Sequence, residues 1–309
     1  MYLREGPSVA MRGTVALWKL TTTKSELSDP VRTAAAAARR QQAGAAPFPR
    51  RLVRRFETRY GAYGSLPVIE VRRRDRPAGA VIVYLHGGAY LNPLIGHQWN
   101  LVCALADDND ARVIVVFYPL SPKGCAAVVL TALTAMHRQL VRQEGQPPIY
   151  AGDSAGGGLT LALALWLRAD DTPPPRHLAL FAPWLDITLR NPEIPAVETQ
   201  DPTLALPGLR YAGARWAPET DVDDPDVCPI NGNPEGLPPM TVIVGTRDVF
   251  RPDCRALVTR AAAAGVDAAL YEARGAFHVF IAATMLPESR QARAALTRRL
   301  AWPTREAAA

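Results

Sequence analysis

The sequence predicts an α/β fold in which a mostly parallel sheet carries helices on both faces. The candidate strands are continuous apolar runs, as is typical of parallel strands buried on both sides. Helical stretches separate these runs, and that alternation indicates a parallel sheet. The predicted strands are residues 81–85, 113–117, 149–151, 178–181, 241–244 and 268–272, and the helices between them are residues 97–106, 126–143, 157–168 and 253–264.

The remaining segments have other patterns. Residues 33–42 are predicted to be helical, with Pro30 suited to a first helical turn. Residues 52–60 and 68–74 alternate in polarity, which favours an antiparallel hairpin at the edge of the sheet. Residues 186–227 interrupt the rhythm and are rich in Pro and Asp, and a long insertion of this kind usually acts as a lid or binding element. We expect one domain over residues 1–309.

The composition is that of an ordinary soluble globular protein. The chain has 309 residues, of which 48% are hydrophobic and 21% charged. Its net charge of +6 comes almost wholly from arginine. The arginine-rich residues 50–59 and 72–76 alternate with apolar ones, which favours a solvated sheet edge over a nucleic-acid surface. We therefore expect no nucleic-acid partner, and no more than peripheral contact with an anionic membrane.

The cysteines and the hydropathy indicate the compartment. Cys103, Cys125, Cys228 and Cys254 show no CxxC pair and no metal-ligand spacing, which indicates reduced thiols and no metal site. No run reaches the roughly 20 apolar residues of a membrane-spanning helix. The first residues do not resemble a secretory signal. We therefore expect a cytoplasmic location.

Residues 149–167 carry the strongest chemical signal. A short apolar strand enters a Gly-x-Ser-x-Gly turn centred on Ser154, and an apolar helix leaves it. The two glycines let the chain turn tightly, which strains Ser154 and projects its hydroxyl. The N–H of Ala155 and the positive end of the helix then face the point where an oxyanion forms. A turn that only packs a helix on a sheet is the alternative, and the flanking strand and helix disfavour it.

A serine nucleophile needs a base, and the chain offers five histidines. His278 follows the last strand, where a catalytic loop is expected, and is the predicted base. His86 lies within a glycine-rich loop that it is expected to brace. His97 either borders the site or caps a helix, whereas His137 and His177 have the positions of packing or surface residues.

Two carboxylates, Asp248 and Asp186, compete to orient His278. Asp248 directly follows a strand and precedes a helix, at the sheet edge where ligands bind in α/β proteins. Asp186 opens the insertion, and Asp153 is expected to point away from the hydroxyl and support the turn. We therefore predict Asp248 as the acid. The chain order Ser154, Asp248, His278 is the one expected of an α/β-hydrolase.

The loop after residues 81–85 reads His-Gly-Gly-Ala-Tyr and offers fixed backbone donors. Acyl transfer passes through a tetrahedral oxyanion, and each donor aimed at it contributes roughly a hundred- to a thousandfold in rate. The N–H groups of Gly88 and Ala89, joined by that of Ala155, are predicted to form this oxyanion hole, with Gly87 shaping the approach. A simple turn is the alternative, and the loop's place after the first core strand disfavours it.

These motifs together resemble the hormone-sensitive-lipase family of α/β-hydrolases, carboxylesterases with an HGGG loop upstream of a GDSAGG elbow. The resemblance covers residues 81–279. Residues 118–122 (YPLSP) are similar to the family's YRLAP, residues 224–229 (DPDVCP) to its DPxxSP, and residues 237–248 to its LPPxxxxxGxxD. The family's third glycine is Ala89 here, which narrows the hole against esters of bulky tertiary alcohols. The Asn that often follows GDSAGG is Gly158.

The resemblance implies a helical cap formed by residues of about 1–50 and part of 186–227. It also implies that Tyr90, Trp184 and Trp216 line the substrate pocket. The implied activity is that of a serine carboxylesterase acting on small-molecule esters with short to medium acyl chains, without a cofactor or a metal. An amidase or peptidase of the same fold and an inactive ligand-binding relative stay open as alternatives, as does a homodimer.

Overall fold

The computed structural model describes residues 1–20 and 23–301. A single eight-stranded sheet forms its centre, in the order β1-β2-β4-β3-β5-β6-β7-β8. The strands are β1 (Phe56–Tyr63), β2 (Leu66–Arg73), β3 (Ala80–Leu85), β4 (Ala111–Val116), β5 (Ile149–Asp153), β6 (Leu178–Phe181), β7 (Met240–Gly245) and β8 (Ala268–Ala273). Strands β3 to β8 pair in parallel, whereas β2 is antiparallel to both of its neighbours. The predicted fold class is confirmed.

Helices cover both faces of this sheet. They are α1 (Val9–Trp18), α2 (Thr23–Leu27), α3 (Pro30–Ala43), α4 (Gly96–Asp108), α5 (Ala126–Glu144), α6 (Ala155–Ala169), α7 (Ile194–Glu198), α8 (Leu206–Trp216), α9 (Arg251–Ala263) and α10 (Pro287–Leu300). Alternate residues of β3 face opposite sides, so Val83 belongs to one apolar core and Ile82 to the other. The first core packs against α5, α6, α8 and α9, and the second against α1, α4 and α10.

The first strand of the edge hairpin lies a few residues later than predicted, and the second begins two residues earlier. Leu52, expected to begin the strand, ends a short 3₁₀ turn instead, and β1 begins at Phe56. The arginines of the hairpin are paired with acids. Arg73 and Arg76 both bond Asp107, and Arg72 lies 3.0 Å from Glu57. These arginines therefore belong to a paired, solvated sheet edge, as the alternation indicated.

The N-terminal segment divides into two parts. Helix α1 packs beside α10, where Ser8 N donates to Glu288 Oε1 over 2.7 Å and the Trp18 ring lies 6.0 Å from Phe277. Helices α2 and α3 pack instead on α8, in the insertion of residues 186–227. Of the predicted 1–50 cap segment, α2 and α3 therefore contact the insertion, whereas α1 lies beside α10. Residues 21 and 22 of that segment, and residues 302–309 of the predicted domain, lie outside the described residues.

The insertion contains two helices, α7 and α8, joined by residues 199–205. Lys24 of α2 fixes this connection, since its Nζ donates to the carbonyl oxygens of Glu198 and Asp201 over 2.7 Å each. These hydrogen bonds therefore join α2 to the end of α7 and the connection that follows it, within a helical layer formed by α2, α3, α7 and α8. Among the helices of residues 1–20 and 23–301, none has the length and apolarity to cross a membrane.

Candidate active site

Ser154 stands in the sharp turn between β5 and α6. Its φ of 53° and ψ of −121° lie in a region that non-glycine residues rarely occupy, and such strain persists only where the surroundings hold it. The turn is held on both sides, because Ser154 N donates to Phe181 O and Ser154 O accepts from Trp184 N, both over 2.9 Å. Gly156 permits the tight approach, since a Cβ there would lie 2.0 Å from Leu85 O. The sequence-predicted strand, turn and helix are all present.

Asp248 and His278 meet at the carboxyl ends of β7 and β8. The Nδ1 atom of His278 lies 2.8 Å from Asp248 Oδ2, and the Asp248 side chain is fully buried. Phe250 N donates to the other carboxylate oxygen of Asp248 over 3.0 Å, which fixes the plane of the acid. The Phe250 ring also meets the imidazole edge-on, with the ring centroids 5.2 Å apart. The imidazole is therefore held both by a hydrogen bond and by packing.

The electrostatics of this pair favour a protonated imidazole. Burial alone lowers the pKa of His278, but the charge of Asp248 and the hydrogen bond to it outweigh that effect, and the net pKa is raised above 6.5. The charges of Asp201 and Asp153 act in the same direction. The imidazolium form is thus stabilised, as a general base requires after it has accepted a proton.

The hydroxyl of Ser154 shares the sheet edge with this pair. Residue Ser154 is 8% exposed and the side chain of His278 12%, so both border solvent. No hydrogen bond joins Ser154 Oγ to His278 in the part of the chain that the structure describes. Such contacts are often loose without substrate and tighten in the substrate complex.

Asp153 joins the serine turn to the glycine-rich loop. Its buried carboxylate accepts hydrogen bonds from the Tyr84 hydroxyl, from Gly87 N at 2.9 Å and from Gln98 Nε2 at 3.0 Å. The prediction that Asp153 supports the turn agrees with these contacts. They also show that the support extends to the neighbouring loop, which the sequence did not indicate.

The bond to Asp153 defines the part that Gly87 plays. Because Gly87 N–H already donates to Asp153, it is not a free donor for an oxyanion and serves to hold the loop, which agrees with the prediction that Gly87 shapes the approach. In the hydrogen bonds described for residues 23–301, the N–H groups of Gly88, Ala89 and Ala155 have no acceptor. Ala89 has a φ of 55°, so the backbone of the loop has a strained conformation at this residue.

The other histidines have structural contacts. His86 is buried, with its Nδ1 2.8 Å from Gly87 O and its ring stacked on Tyr118, so it braces the loop. His137 Nε2 lies 2.7 Å from a backbone carbonyl, and His177 Nε2 lies 2.9 Å from a threonine hydroxyl. His97 is the second residue of α4 and is exposed, and the charges of Asp153 and His278 act on it, so it lies near the site. The elimination that selected His278 agrees with these positions.

The carboxylate of Asp186 makes its hydrogen bonds within the insertion and at its end, not with the histidine. Its Oδ1 accepts from Thr188 N at 2.8 Å and from Cys228 Sγ at 3.1 Å, which ties the start of the insertion to its end. Cys228 belongs to the DPDVCP segment, so the structure gives that motif a bracing contact. Asp186 does not reach His278, and Asp248 is the acid that the geometry places there.

Comparisons with known proteins agree with this geometry. The model of a family described as having the alpha/beta hydrolase fold matches residues 82–282. An acetyl-hydrolase of Streptomyces hygroscopicus is 33% identical over 224 residues, which are 71% of this chain and 75% of that protein. The esterase LipU of Mycobacterium tuberculosis is 32% identical over 237 residues, 74% of this chain and 77% of that protein.

A solved structure adds the subfamily. An esterase from the bacterial hormone-sensitive lipase family has a TM-score of 0.79 and 26% identity, over 95% of this chain and 97% of that chain. The chain belongs to the hormone-sensitive-lipase family of α/β-hydrolases. The resemblance inferred from the sequence motifs is confirmed.

One departure from the hormone-sensitive-lipase pattern has a structural cause. A Cβ at Gly158 would lie 2.0 Å from Trp184 O and 3.1 Å from the Tyr90 hydroxyl. The backbone at Trp184, shortly after β6, therefore lies so close to α6 that position 158 has no space for a side chain. The Asn often found in the family does not fit this backbone.

The three aromatic residues implied as pocket lining form a stack. Tyr90 lies between Trp216, 4.1 Å away between ring centroids, and Trp184, 5.7 Å away. Trp184 in turn lies 5.8 Å from Phe250, which contacts His278. Trp184 and Trp216 have no exposed surface and Tyr90 is 2% exposed, so in this structure they pack against each other and do not border open space. The lining role is corrected to one of support behind the site.

Asp201 is a residue of this site that the sequence analysis missed. It is 2% exposed, lies between α7 and α8, and accepts a hydrogen bond from Val249 N, next to Asp248. No sequence signal identifies it, because it stands in a segment rich in Asp and Pro and more than 40 residues before its partner. Only the packing of the insertion on the β7 loop brings the two together.

Proposed function

We propose that this carboxylic ester hydrolase cleaves short- to medium-chain acyl esters through a triad of Ser154, His278 and Asp248. The observation that carries the proposal is the 2.8 Å contact between His278 Nδ1 and Asp248 Oδ2, at the sheet edge where a strained turn presents Ser154. The contact keeps the Nδ1 proton of the neutral ring on the side of the carboxylate. Nε2 is thereby left free to act as the base.

The first half of the reaction forms an acyl-enzyme. His278 Nε2 accepts the hydroxyl proton while Ser154 Oγ attacks the carbonyl carbon of the ester, and the carbonyl electron pair moves to oxygen. The N–H groups of Gly88, Ala89 and Ala155 are the proposed donors to this oxyanion. The intermediate then collapses with cleavage of the bond to the alcohol oxygen, which receives the proton from His278.

The second half releases the acid. Water attacks the acyl carbon and loses a proton to His278, and the new tetrahedral intermediate expels Ser154 Oγ, which recovers that proton. Asp248 remains ionised and stabilises the imidazolium formed in each half. The raised pKa of His278 supports this role, because the ring accepts a proton more readily than an ordinary histidine.

The proposed chain-length preference depends on the helical layer and the aromatic stack. We propose that α2, α3, α7 and α8 form the cap, because α2 and α3 pack on α8 and Lys24 bonds the end of α7. Tyr90, Trp184 and Trp216 fill the space behind the oxyanion loop with tightly stacked rings. Such filling favours substrates with short to medium acyl chains over long lipids.

The test is hydrolysis of a p-nitrophenyl ester series from acetate to palmitate. Ser154→Ala is expected to lower kcat by about a millionfold, whereas Ser65→Ala, an exposed serine in the turn between β1 and β2, keeps the parent rate. We expect the parent to favour the short and medium chains. A Ser154→Ala variant as active as the parent refutes the triad. Turnover of anilides without esters favours an amidase, and ligand binding without any turnover favours an inactive relative.

A further inference from the structure

Asp201 approaches the catalytic acid from a different part of the chain. Its Oδ2 accepts from Val249 N at 3.1 Å, and Phe250 N donates to Asp248 Oδ1 at 3.0 Å. Two successive backbone amides at the start of α9 are thus each held by a carboxylate. One carboxylate is the proposed triad acid, and the other comes from the connection between α7 and α8.

The hydrogen bonds of Asp201 favour its ionised form. Its Oδ1 accepts from Thr203 N at 2.8 Å, from Thr203 Oγ1 at 2.9 Å and from Leu204 N at 2.9 Å. With the bond from Val249, the carboxyl group accepts four hydrogen bonds from four donors. Burial and the charge of Asp248 raise the pKa of Asp201, but four donors favour the anion, which accepts at both oxygens. The two carboxylates also lie at the positive end of the 13-residue helix α9.

We propose that Asp201 is a positioning residue of the triad: by bonding Val249 N it fixes the turn that carries Asp248, and its negative charge stabilises protonated His278. The proposal rests on the proposed triad. Lys24 anchors the connection between α7 and α8 through the carbonyl of Asp201. On this proposal, that connection helps to hold Asp248 and to stabilise protonated His278.

The charged groups around the histidine allow this role to be isolated. The charges of Asp248, Asp201 and Asp153 act on His278, and of these only Asp248 bonds the ring. The imidazole of His97 on α4 also interacts electrostatically with His278, and a change at Asp201 leaves it in place. Asp153 serves the loop of Gly87, so replacing Asp201 leaves both other carboxylates in place. The charge of Lys24 lies on the backbone side of Asp201, at its carbonyl oxygen.

The test uses Asp201→Asn, with Asp186→Asn as the matched control. Asp186 is also a buried carboxylate of the insertion that accepts from a threonine amide and hydroxyl two residues later, but it faces Cys228 and not the triad. In Asp201→Asn the amide oxygen keeps the Thr203 bonds, while the amide nitrogen faces Val249 N–H and cannot accept. The variant thus loses one bond and one charge with little change in shape.

Two measurements are made on each variant. Histidine titration by NMR, with the signal of His278 assigned from a His278→Gln variant, gives the pKa of His278 without any need for turnover. The pH dependence of kcat/KM on p-nitrophenyl butyrate gives the acid limb. We expect Asp201→Asn to shift both to lower pH and to reduce kcat/KM at its plateau about three- to tenfold. Asp186→Asn is expected to leave both pH midpoints unchanged.

The outcomes separate this proposal from the proposed function. If the parent hydrolyses no ester, the proposed function fails, whereas the NMR titration still tests the effect of Asp201 on His278. A folded Asp201→Asn variant with the parent's titration refutes the proposal, and so does an equal shift in Asp186→Asn. If Asp201→Asn does not fold, Asp201→Ser removes the same charge, while its hydroxyl oxygen can still accept from the Thr203 amide. It is expected to shift the midpoint to lower pH, and an unchanged midpoint refutes the proposal.

Discussion

Replacing Asp153 by Asn tests what holds the serine turn against the oxyanion loop. Asp153 Oδ1 accepts from Gly87 N and from the Tyr84 hydroxyl, and an Asn oxygen at this place keeps both bonds. The Asn nitrogen then takes the place of Oδ2 and faces Gln98 Nε2, which is also a donor and keeps only its longer contact of 3.2 Å to the Oδ1 position. Gln98 is fixed in orientation, because its Oε1 accepts from Ile95 N at 2.8 Å. One charge-assisted hydrogen bond is therefore lost in a buried place, at about 1.5–3 kcal/mol.

The assay is urea unfolding followed by circular dichroism, together with kcat/KM on p-nitrophenyl acetate. We expect the free energy of unfolding to fall by about 2 kcal/mol. We expect kcat/KM to fall less than tenfold, since the Gly87 bond is kept. Asp75→Asn is the control for loss of a carboxylate, because Asp75 is 62% exposed and pairs with Arg73 at the surface, so this variant should keep nearly the parent's free energy of unfolding. Equal losses in the two variants would refute the reasoning.

Three further predictions follow from the site. The raised pKa of His278 places the acid limb of kcat/KM above pH 6.5, since the neutral ring is the base, and a pH–rate profile with a lower midpoint contradicts this. Gly158→Ala puts a Cβ 2.0 Å from Trp184 O and should lower the free energy of unfolding by about 1–3 kcal/mol in a urea titration. The control is Gly13→Ala in α1, where a Cβ meets nothing within 4 Å. This variant should raise the free energy of unfolding by up to about 1 kcal/mol. Ala89→Gly should increase the rate on tert-butyl acetate relative to ethyl acetate, and an unchanged ratio would show that Ala89 does not narrow the hole.

The central sheet was predictable because the apolar composition of its strands indicates that they are buried. Each of β3 to β7 is an apolar run flanked by helical stretches, and burial on both faces is what such a run indicates. The same alternation locates the loops that leave the carboxyl ends of the strands. Ser154, Asp248 and His278 each stand in such a loop, so the rule that ligands bind at this edge helped to select them, together with the Gly-x-Ser-x-Gly motif and the elimination among the histidines.

Helix α10 shows where the pattern became too weak. Its sequence, PESRQARAALTRRL, contains four arginines, and its mean hydropathy is low, so it has no obvious apolar stripe. It is nevertheless packed on the second core through Ala292, Leu296 and Leu300. Helix α8 was missed for a similar reason, because Pro207 and two glycines make the segment read as a loop. In both cases tertiary packing decides a structure that local propensity leaves open.

The hydrogen-bond partners in the site were beyond prediction because they join distant segments. Asp153 and Gly87 are 66 residues apart, and Asp201 and Val249 are 48 apart. Sequence position shows that Gly87 lies in a loop with free amides, but not that one of them is already occupied. The stacked tryptophans are a related case. Their type and place suggested contact with substrate, and only the packed structure shows that each is covered by the next ring.

The two acids outside the triad act by the same means on two different loops of the site. Asp153 bonds the backbone of the oxyanion loop at Gly87, and Asp201 bonds the backbone of the acid loop at Val249. Because both bonds are made to amides, they fix the loops without using a side chain that takes part in the proposed chemistry. Both carboxylates also raise the pKa of His278. Holding the loops and stabilising the protonated histidine are therefore coupled, and a neutral substitute at either position is expected to weaken both.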